Sequence, residues 1–130
     1  IEDLGILIRG QSGSGKSDLA LRLIDSGATL ISDDLTICKK IGDYLYLYPH
    51  LKTKGLLEVR EIGIMTVPYV ENIKLNLVVE LVEKKFERIP RVMNCSILGL
   101  KFPKIKIFGK SSSAVAKIKI KLNQIRSYVQ

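Results

Sequence analysis

Eight residues near the start of the chain have the types and the spacing needed to bind a phosphate group. They are Gly10-Gln11-Ser12-Gly13-Ser14-Gly15-Lys16-Ser17, and they fit the G-x-x-x-x-G-K-S pattern of a phosphate-binding loop, or P-loop. The glycines let the backbone turn so that successive N–H groups face phosphate oxygens. Lys16 offers a cation to the outer phosphates, and Ser17 offers a hydroxyl to Mg²⁺. We therefore predict that these eight residues bind the phosphates of a nucleotide.

The segments on either side of this loop predict the elements that hold it. Residues 5–9 form a short apolar run that ends at a glycine, which is typical of a buried strand. After the loop, Leu19 and Leu23 recur at helical spacing, and Gly27 stands where a helix C-cap is expected. We favour phosphate binding over a glycine-rich turn that binds nothing, because strand, loop and helix follow in the order that the motif requires.

Two adjacent carboxylates follow a short strand predicted over residues 29–32. Asp33 and Asp34 stand at its end, where many P-loop enzymes place the acid that meets Mg²⁺. One carboxylate can serve the metal while the other accepts a proton. The alternative is a turn that starts with an aspartate pair and binds no ligand.

Other charged side chains are ambiguous when they are considered alone. Glu58 and Arg60 lie in an otherwise apolar stretch, where they could form a second Mg²⁺ contact and a phosphate clamp or an exposed ion pair. Arg88 lies in a predicted loop and by itself suggests a surface arginine. His50 is the single histidine, and we interpret it as a turn residue rather than as a catalytic or metal-binding one.

The rest of the chain predicts more strands than helices. Residues 35–39 and 44–48 are expected to form a hairpin, residues 75–82 a long apolar strand, and residues 91–98 and 104–108 a strand pair. The sequence therefore indicates a small, strand-rich α/β domain.

The C-terminal segment is compatible with two structures. Residues 117–122 alternate as a strand does. We favour a helix, because residues 111–113 are serines that can cap its start, and because five apolar residues fall on one helical face. They are Val115, Ile118, Leu122, Ile125 and Val129.

Composition and charge narrow the class of protein. The chain has 130 residues, of which 46% are hydrophobic and 26% charged, so we expect one globular domain over residues 1–130. No apolar run is long enough to cross a membrane and no signal peptide is evident. The two cysteines, Cys38 and Cys95, are expected to be free thiols in a reducing cytoplasm.

The net charge of +8 is concentrated at the C-terminal end. Residues 101–130 contain eight of the 21 basic residues and no acidic one. Such a basic face could attract nucleic acid, an acidic protein or phosphate, or could simply be solvated. A nucleic-acid partner is not favoured, because the segment has few aromatic residues and no RNA-binding signature.

Two blocks of this sequence resemble the C-terminal catalytic domain of HPr kinase/phosphorylase, particularly its short proteobacterial form. The first block covers residues 5–24 and continues through Leu30-Ile31-Ser32-Asp33-Asp34. The second, residues 57–64, is similar to the family signature L-E-I-R-G-L-G-I, with Glu61 in place of a glycine. The resemblance covers nearly the whole chain and implies a phosphoenolpyruvate-carboxykinase-like P-loop fold, with a mixed, curled sheet and helices packed beside it.

This resemblance implies a kinase that uses ATP and Mg²⁺ to phosphorylate a serine of HPr, the phosphocarrier protein of the sugar phosphotransferase system. By position, Lys16 would hold the β- and γ-phosphates and take part in catalysis. The metal ligands would be Ser17 and Glu58, with Asp33 beside them. Members of the family are hexamers, so the resemblance also implies a homo-oligomer.

The resemblance assigns two further catalytic roles. Asp34 matches the aspartate that takes the serine proton, and Arg88, in Phe86-Glu87-Arg88-Ile89, matches a catalytic arginine. The family's P-V-R-P-G-R-N loop, which is tied to dephosphorylation, aligns with residues 107–113, where both arginines are missing and Lys110 leaves a cation nearby. We therefore expect kinase activity to exceed phosphorylase activity. A small-molecule kinase and a non-enzymatic nucleotide-binding regulator remain the alternatives.

Overall fold

A computed structural model describes residues 3–83 and 92–129, and within these ranges the chain forms eight strands and two helices. The elements are β1 (Gly5–Arg9), α1 (Lys16–Asp25), β2 (Thr36–Ile41), β3 (Tyr44–Pro49), β4 (Leu56–Val59), β5 (Gly63–Thr66), β6 (Ile73–Val82), β7 (Met93–Ile97), β8 (Leu100–Phe108) and α2 (Ala114–Val129). Neither helix, as far as it is described, is long and apolar enough to cross a membrane.

The long apolar strand β6 lies at the centre of a mixed sheet. β1 and β8 both pair with β6 in parallel, whereas β3 pairs antiparallel with the first residues of β6. β2 and β7 extend the sheet as antiparallel partners of β3 and β8. β4 and β5 form a separate two-stranded hairpin. Because β1 and β8 run in the same direction beside β6, the loops that follow them emerge at the same edge of the sheet.

A bulge at Asn76 sets which side chains of β6 face each side of the sheet. The register shifts between Gly5, which pairs with Leu75, and Ile6, which pairs with Leu77. The Gly5 N–H donates to Oδ1 of Asn76 at 3.0 Å. A Cβ at position 5 would lie 2.3 Å from the carbonyl oxygen of Lys74, so only glycine fits there. The bulge inserts one residue and thereby reverses the alternation of side chains along the strand.

Two hydrophobic cores lie on opposite faces of β6. Leu77, Val79 and Leu81 pack with residues of both helices, including Leu19 of α1 and Ile118 of α2. On the opposite face of β6, Leu75, which precedes the bulge, and Val78, which follows it, belong to a second core. Its remaining buried members are Leu45, Leu47 and Phe102. The helices therefore cover only one face of the sheet, and β2, β3, β7 and β8 enclose the other core.

The sheet curls, as the resemblance implied. β2 and β7 are the two ends of the five-strand path. Nevertheless, Nζ of Lys40 on β2 lies 3.9 Å from the position that a Cβ of Gly99 would take in the β7–β8 turn. Cys38 and Cys95, from the two end strands, pack against the same core as free, half-buried thiols. The prediction of unpaired cysteines is confirmed.

Most of the predicted elements are present. The hairpin around Gly42, the long strand β6 and the strand pair β7–β8 are all found, and the C-terminal segment is a helix with Ile118 and Leu122 buried. His50 lies in a turn, where its Nδ1 accepts a hydrogen bond of 3.1 Å from the Lys52 N–H.

The strand predicted over residues 29–32 is wrong. Among the described residues, Leu30 is the one member of this segment that pairs with another segment, in a single parallel bridge to Tyr69. The hydroxyl of Ser32 donates to the carbonyl oxygen of Leu35, and such a local bond to the backbone competes with strand pairing. The loop predicted over residues 86–91, with Arg88, lies outside the described residues.

Candidate active site

The loop from Gly10 to Ser17 connects β1 to α1 in the conformation that its glycines allow. Gly13 and Gly15 have φ values of 83° and 94°, a region that residues with a side chain rarely adopt. Gly15 is the N-cap of α1 and, being a glycine, has no side chain that could cap the helix. The first N–H groups of α1 and the positive end of the helix dipole therefore lie at the loop, which suits an anionic ligand.

One serine of this loop is buried. Ser14 is 6% exposed, and its N–H donates to the carbonyl oxygen of Gln11 at 3.0 Å. A Cβ added at Gly10 would lie 2.4 Å from Ser14 Oγ, so the loop closes tightly at this point. Within the described residues the Ser14 hydroxyl has no hydrogen-bond partner. The loop thus contains an unused polar group beside Gly10, whereas Gln11, Ser12 and Gly13 at its tip are exposed.

Lys16 closes the loop from the other side. It is the first residue of α1, and its Nζ donates a hydrogen bond of 3.0 Å to the carbonyl oxygen of Gly10. The side chain is half-buried. This bond keeps a positive charge beside the loop backbone, where the charge can offset that of a bound phosphate.

The hydroxyl of Ser17 and the carboxylate of Asp33 form a pair of oxygens next to the loop. Ser17 Oγ donates to Oδ1 of Asp33 at 2.9 Å, and Oδ2 of Asp33 accepts a hydrogen bond of 3.0 Å from the backbone N–H of Glu58. Asp33 therefore links α1 to the first strand of the β4–β5 hairpin, and it brings Glu58 into the neighbourhood of the loop. The side chain of Glu58 is exposed.

These oxygen atoms fit Mg²⁺. In residues 3–83 and 92–129, no three His, Cys, Asp or Glu side chains form a metal-binding cluster. Mg²⁺ does not need one, because it keeps several waters and usually binds one or two carboxylates together with substrate phosphates. A hydroxyl and a carboxylate 2.9 Å apart beside a phosphate-binding loop are the kind of ligand set that this ion prefers.

Asp34 stands at the centre of a tight turn. Its φ is 70°, and the Leu35 N–H donates to the carbonyl oxygen of Asp33 at 2.8 Å, which closes a three-residue turn. Ser32 Oγ reinforces the turn by donating to the Leu35 carbonyl oxygen. Non-glycine residues in the left-handed region are strained, and such strain is concentrated at functional sites. The exposed carboxylate of Asp34 is thus carried by a hydrogen-bonded turn in the left-handed region, which aspartate tolerates better than most residues.

A cavity of about 670 Å³ brings these groups together. Its lining includes Lys16, Ser17, Asp33 and Asp34, together with apolar residues of β1 and α1. Five of the predicted site residues therefore surround one space, since Gly10 of the loop also lines it. Glu58 is joined to Asp33 through its backbone N–H. Arg88 lies outside the described residues.

Burial also affects a thiol that lines this cavity. Desolvation raises the pKa of the Cys38 thiol above its ordinary value, and the guanidinium of Arg9 opposes this effect. Arg9 is the last residue of β1 and is exposed. A raised pKa favours the neutral thiol, which is a weaker nucleophile than the thiolate.

A contact between α1 and the β8–α2 loop was not predictable from the sequence. Arg22 bonds Asp18 Oδ2 through Nε at 3.1 Å, and its other two nitrogens donate to the carbonyl oxygens of Ser111 and Gly109. The i, i+4 spacing of Asp18 and Arg22 was visible in the sequence. The two carbonyls are 87 and 89 residues away, and no local pattern indicates them.

Comparisons with known proteins identify the family and the relatives of this chain. The sequence model of the HPr Serine kinase C-terminal domain matches residues 1–126. The HPr kinase/phosphorylase of Mycoplasmopsis pulmonis is 36% identical over 129 residues, covering 88% of this chain and 41% of that protein. That of Malacoplasma penetrans is 32% identical over 146 residues, covering 96% and 48%. This chain thus spans less than half the length of both relatives.

A solved structure is similar over almost the whole chain. The structure of the Hpr(Ser) kinase/phosphatase from Coxiella burnetii superposes with a TM-score of 0.85 at 26% sequence identity. The match covers 99% of this chain and 92% of that one. The mixed sheet, the loop after β1 and the two helices on one face therefore form a fold already seen in a protein of that description.

Proposed function

Since this chain belongs to the HPr Serine kinase C-terminal domain family, we propose that it is an ATP- and Mg²⁺-dependent kinase that phosphorylates a serine of the phosphocarrier protein HPr. The observation that carries this proposal is the grouping of Lys16, Ser17, Asp33 and Asp34 around one cavity at the end of the P-loop. A cation, a metal-binding oxygen pair and a separate carboxylate are what phosphoryl transfer to a hydroxyl needs.

The P-loop residues Gly10 to Ser17 would bind the phosphates of ATP, and Ser17, Asp33 and Glu58 would hold Mg²⁺. Bound ATP supplies the phosphoryl group, and Mg²⁺ offsets the charge that builds up on it. Lys16 adds a second positive charge at the outer phosphates. Hydrogen bonds already join Ser17, Asp33 and the backbone of Glu58, which supports a site that is largely formed before any ligand binds.

Asp34 would orient the acceptor serine and receive its proton. A serine hydroxyl is a weak nucleophile, and a positioned carboxylate both aligns its oxygen and accepts the proton as the new bond to phosphorus forms. The position of Asp34 supports this role, because the residue lines the cavity and its turn is closed by a backbone hydrogen bond. Arg88 completes the proposed catalytic set on the strength of the family resemblance alone.

The test is phosphoryl transfer from ATP labelled at the γ-phosphate. The chain is incubated with MgATP and HPr, with HPr in which the acceptor serine is replaced by alanine, and with HPr omitted. We expect label on the serine of HPr only, and its loss when Lys16→Ala replaces the parent. Label on a small molecule would favour the small-molecule kinase, whereas ATP binding without any transfer would favour the nucleotide-binding regulator.

The same assay measures the direction of the reaction. An arginine holds a phosphate through two parallel hydrogen bonds, whereas a lysine is a point charge. We therefore propose that Lys110, in place of the arginines of the family loop, leaves the phosphorylase reaction slower than the kinase reaction. This proposal would be contradicted if phosphate were released from seryl-phosphorylated HPr as fast as HPr is phosphorylated. The hexameric assembly and the cytoplasmic location implied by the resemblance stay predictions, and sedimentation of the purified chain tests the first.

A further inference from the structure

A second loop lies against the P-loop at the same edge of the sheet. It consists of residues 109–113, between β8 and α2, and we refer to it as the second loop. A Cβ added at Gly109 would lie 3.2 Å from Leu81 Cδ2 and 3.5 Å from the carbonyl oxygen of Ser14. There is thus little room for a side chain between the second loop and the P-loop. Lys110, the next residue, is exposed.

Arg22 holds the peptide carbonyls on both sides of Lys110. One terminal nitrogen donates to the carbonyl oxygen of Gly109, and the other donates to that of Ser111 at 3.2 Å. Its Nε is bonded to the carboxylate of Asp18 at 3.1 Å, which orients the guanidinium. All three nitrogens of the guanidinium are used, and the side chain is 31% exposed. The planar group matches two carbonyls in a way that a lysine ammonium cannot.

The start of α2 holds the second loop from the other side. The Ala114 N–H donates to the same Ser111 carbonyl oxygen at 3.2 Å, and the Ser113 N–H donates to Ser111 Oγ at 3.3 Å. Ala114 itself is fully buried in the core that α1 shares. The backbone of Lys110 is therefore fixed between the P-loop helix and α2, and its conformation does not depend on the exposed side chain.

We propose that Arg22 is a positioning residue, which acts through Lys110. By fixing the two flanking carbonyls it keeps the Lys110 ammonium at the edge of the P-loop, where this cation contacts the phosphate that the loop binds. This inference rests on the proposed function only for the identity of the phosphate donor. The alternative is that Arg22 merely joins α1 to the second loop and that Lys110 is an ordinary surface lysine.

A double-mutant cycle separates the two possibilities. The full chain is prepared as the parent, Arg22→Gln, Lys110→Gln and the double variant, and the affinity of each for MgATP and for pyrophosphate is measured by calorimetry. If Arg22 acts through Lys110, each single variant loses about tenfold in affinity, and the double variant is no weaker than the weaker single one. Effects that multiply in the double variant, or a Lys110→Gln variant as tight as the parent, would overturn the proposal.

Lys119→Gln is the matched control. Nζ of Lys119 bonds the carbonyl and hydroxyl oxygens of Ser26 and so joins α2 to the opposite end of α1. The Lys119→Gln substitution removes one cation and one link between α1 and the C-terminal region, but it leaves the second loop untouched. We expect its phosphate affinity to equal that of the parent. If Arg22→Gln does not fold, Arg22→Lys takes its place in the cycle, since it keeps the charge but reaches only one of the two carbonyls.

Failure of this proposal can be distinguished from failure of the proposed function. Pyrophosphate and MgATP binding that follows the cycle, without transfer to HPr, would contradict the kinase activity and support the role of Arg22. Transfer to HPr, together with affinity losses that multiply in the double variant, would support the kinase activity and contradict the role of Arg22. Absence of any phosphate binding by the parent would overturn both.

Discussion

The hydroxyl of Ser17 donates a hydrogen bond of 2.9 Å to Oδ1 of Asp33, and the other carboxylate oxygen of Asp33 accepts from the backbone of Glu58. This relationship joins the P-loop helix, the Asp33 turn and the β4–β5 hairpin through one carboxylate. Each carboxylate oxygen accepts one hydrogen bond and keeps a second lone pair that a metal ion can use. An asparagine at this site would lose both the negative charge and one of the two acceptor oxygens.

Asp33→Asn is therefore expected to weaken the response to Mg²⁺. Asparagine keeps one oxygen for Ser17 but loses the negative charge and cannot accept from the Glu58 N–H with its amide nitrogen. We expect the Mg²⁺ concentration for half-maximal transfer to rise about tenfold or more, the usual cost of changing a group that supports a metal site. The measurement is the rate of transfer against Mg²⁺ concentration. Asp25→Asn, at the exposed end of the same helix, is the control, and an Asp33→Asn curve that overlies it would contradict the assignment.

Asp34→Asn is expected to separate binding from chemistry. Asparagine tolerates the left-handed conformation that residue 34 adopts, so the turn should persist, but the amide cannot accept a proton. We expect MgATP affinity to stay near that of the parent while transfer to serine falls by ~10²-fold or more, the typical worth of a positioned general base. A single-turnover rate at saturating MgATP tests this. If the variant transfers phosphate as fast as the parent, the general base must be another residue.

The basic face of α2 is expected to speed the encounter with an acidic partner. Lys117 and Lys121 are one helical turn apart, and the charge of neither is balanced by an ion pair among the described residues. Lys104 and Lys106, in contrast, both lie within 4 Å of Glu80. Replacing Lys117 and Lys121 with glutamate should lower the association rate and flatten its dependence on salt. Stopped-flow measurements with HPr test this, with Lys52→Glu and Lys54→Glu on an exposed turn as the control pair. Equal rates in both pairs would indicate a merely solvated face.

Glu61→Gly is expected to stabilise the fold. Glu61 has a φ of 70° in the turn between β4 and β5, a conformation that costs an L-residue roughly 1–2 kcal/mol. Glycine removes this strain but adds entropy to the unfolded chain, so we expect a net gain of about 0.5–1 kcal/mol in the free energy of unfolding. Urea denaturation measures it. Glu71→Gly, an exposed position without a positive φ, should instead lower stability, and equal changes in both variants would refute the explanation.

Local patterns accounted for the elements that depend on local chemistry. The P-loop, α1 and β6 were predictable, because glycine spacing and apolar runs are read within one segment. The C-terminal helix was ambiguous until the core that buries Ile118 and Leu122 was known. The strand over residues 29–32 failed, because the Ser32 hydroxyl and the tight turn at Asp34 take over the backbone there.

Contacts between distant segments could not be predicted in this way. The P-loop pattern and the aspartate pair predicted that Ser17 and Asp33 could serve one Mg²⁺, but not the direct hydrogen bond between them. The contacts of Arg22 with the second loop involve backbone carbonyls, which every residue has, so no residue type marks them. The positive φ of Glu61 was not marked by its residue type, and only the glycine at this place in the family signature pointed to it.

The reversal of side-chain direction at the Asn76 bulge has a consequence for how the domain unfolds. Because of it, one strand supplies Leu77, Val79 and Leu81 to the core under the helices, and Leu75 and Val78 to the core on the opposite face. Neither core can unfold while the other stays intact, because unfolding of one core would displace β6 from the other. β1, which ends at the P-loop, is paired to that same strand. Heat or denaturant should therefore abolish phosphate binding and secondary structure in one cooperative transition, without a partly folded species that keeps either.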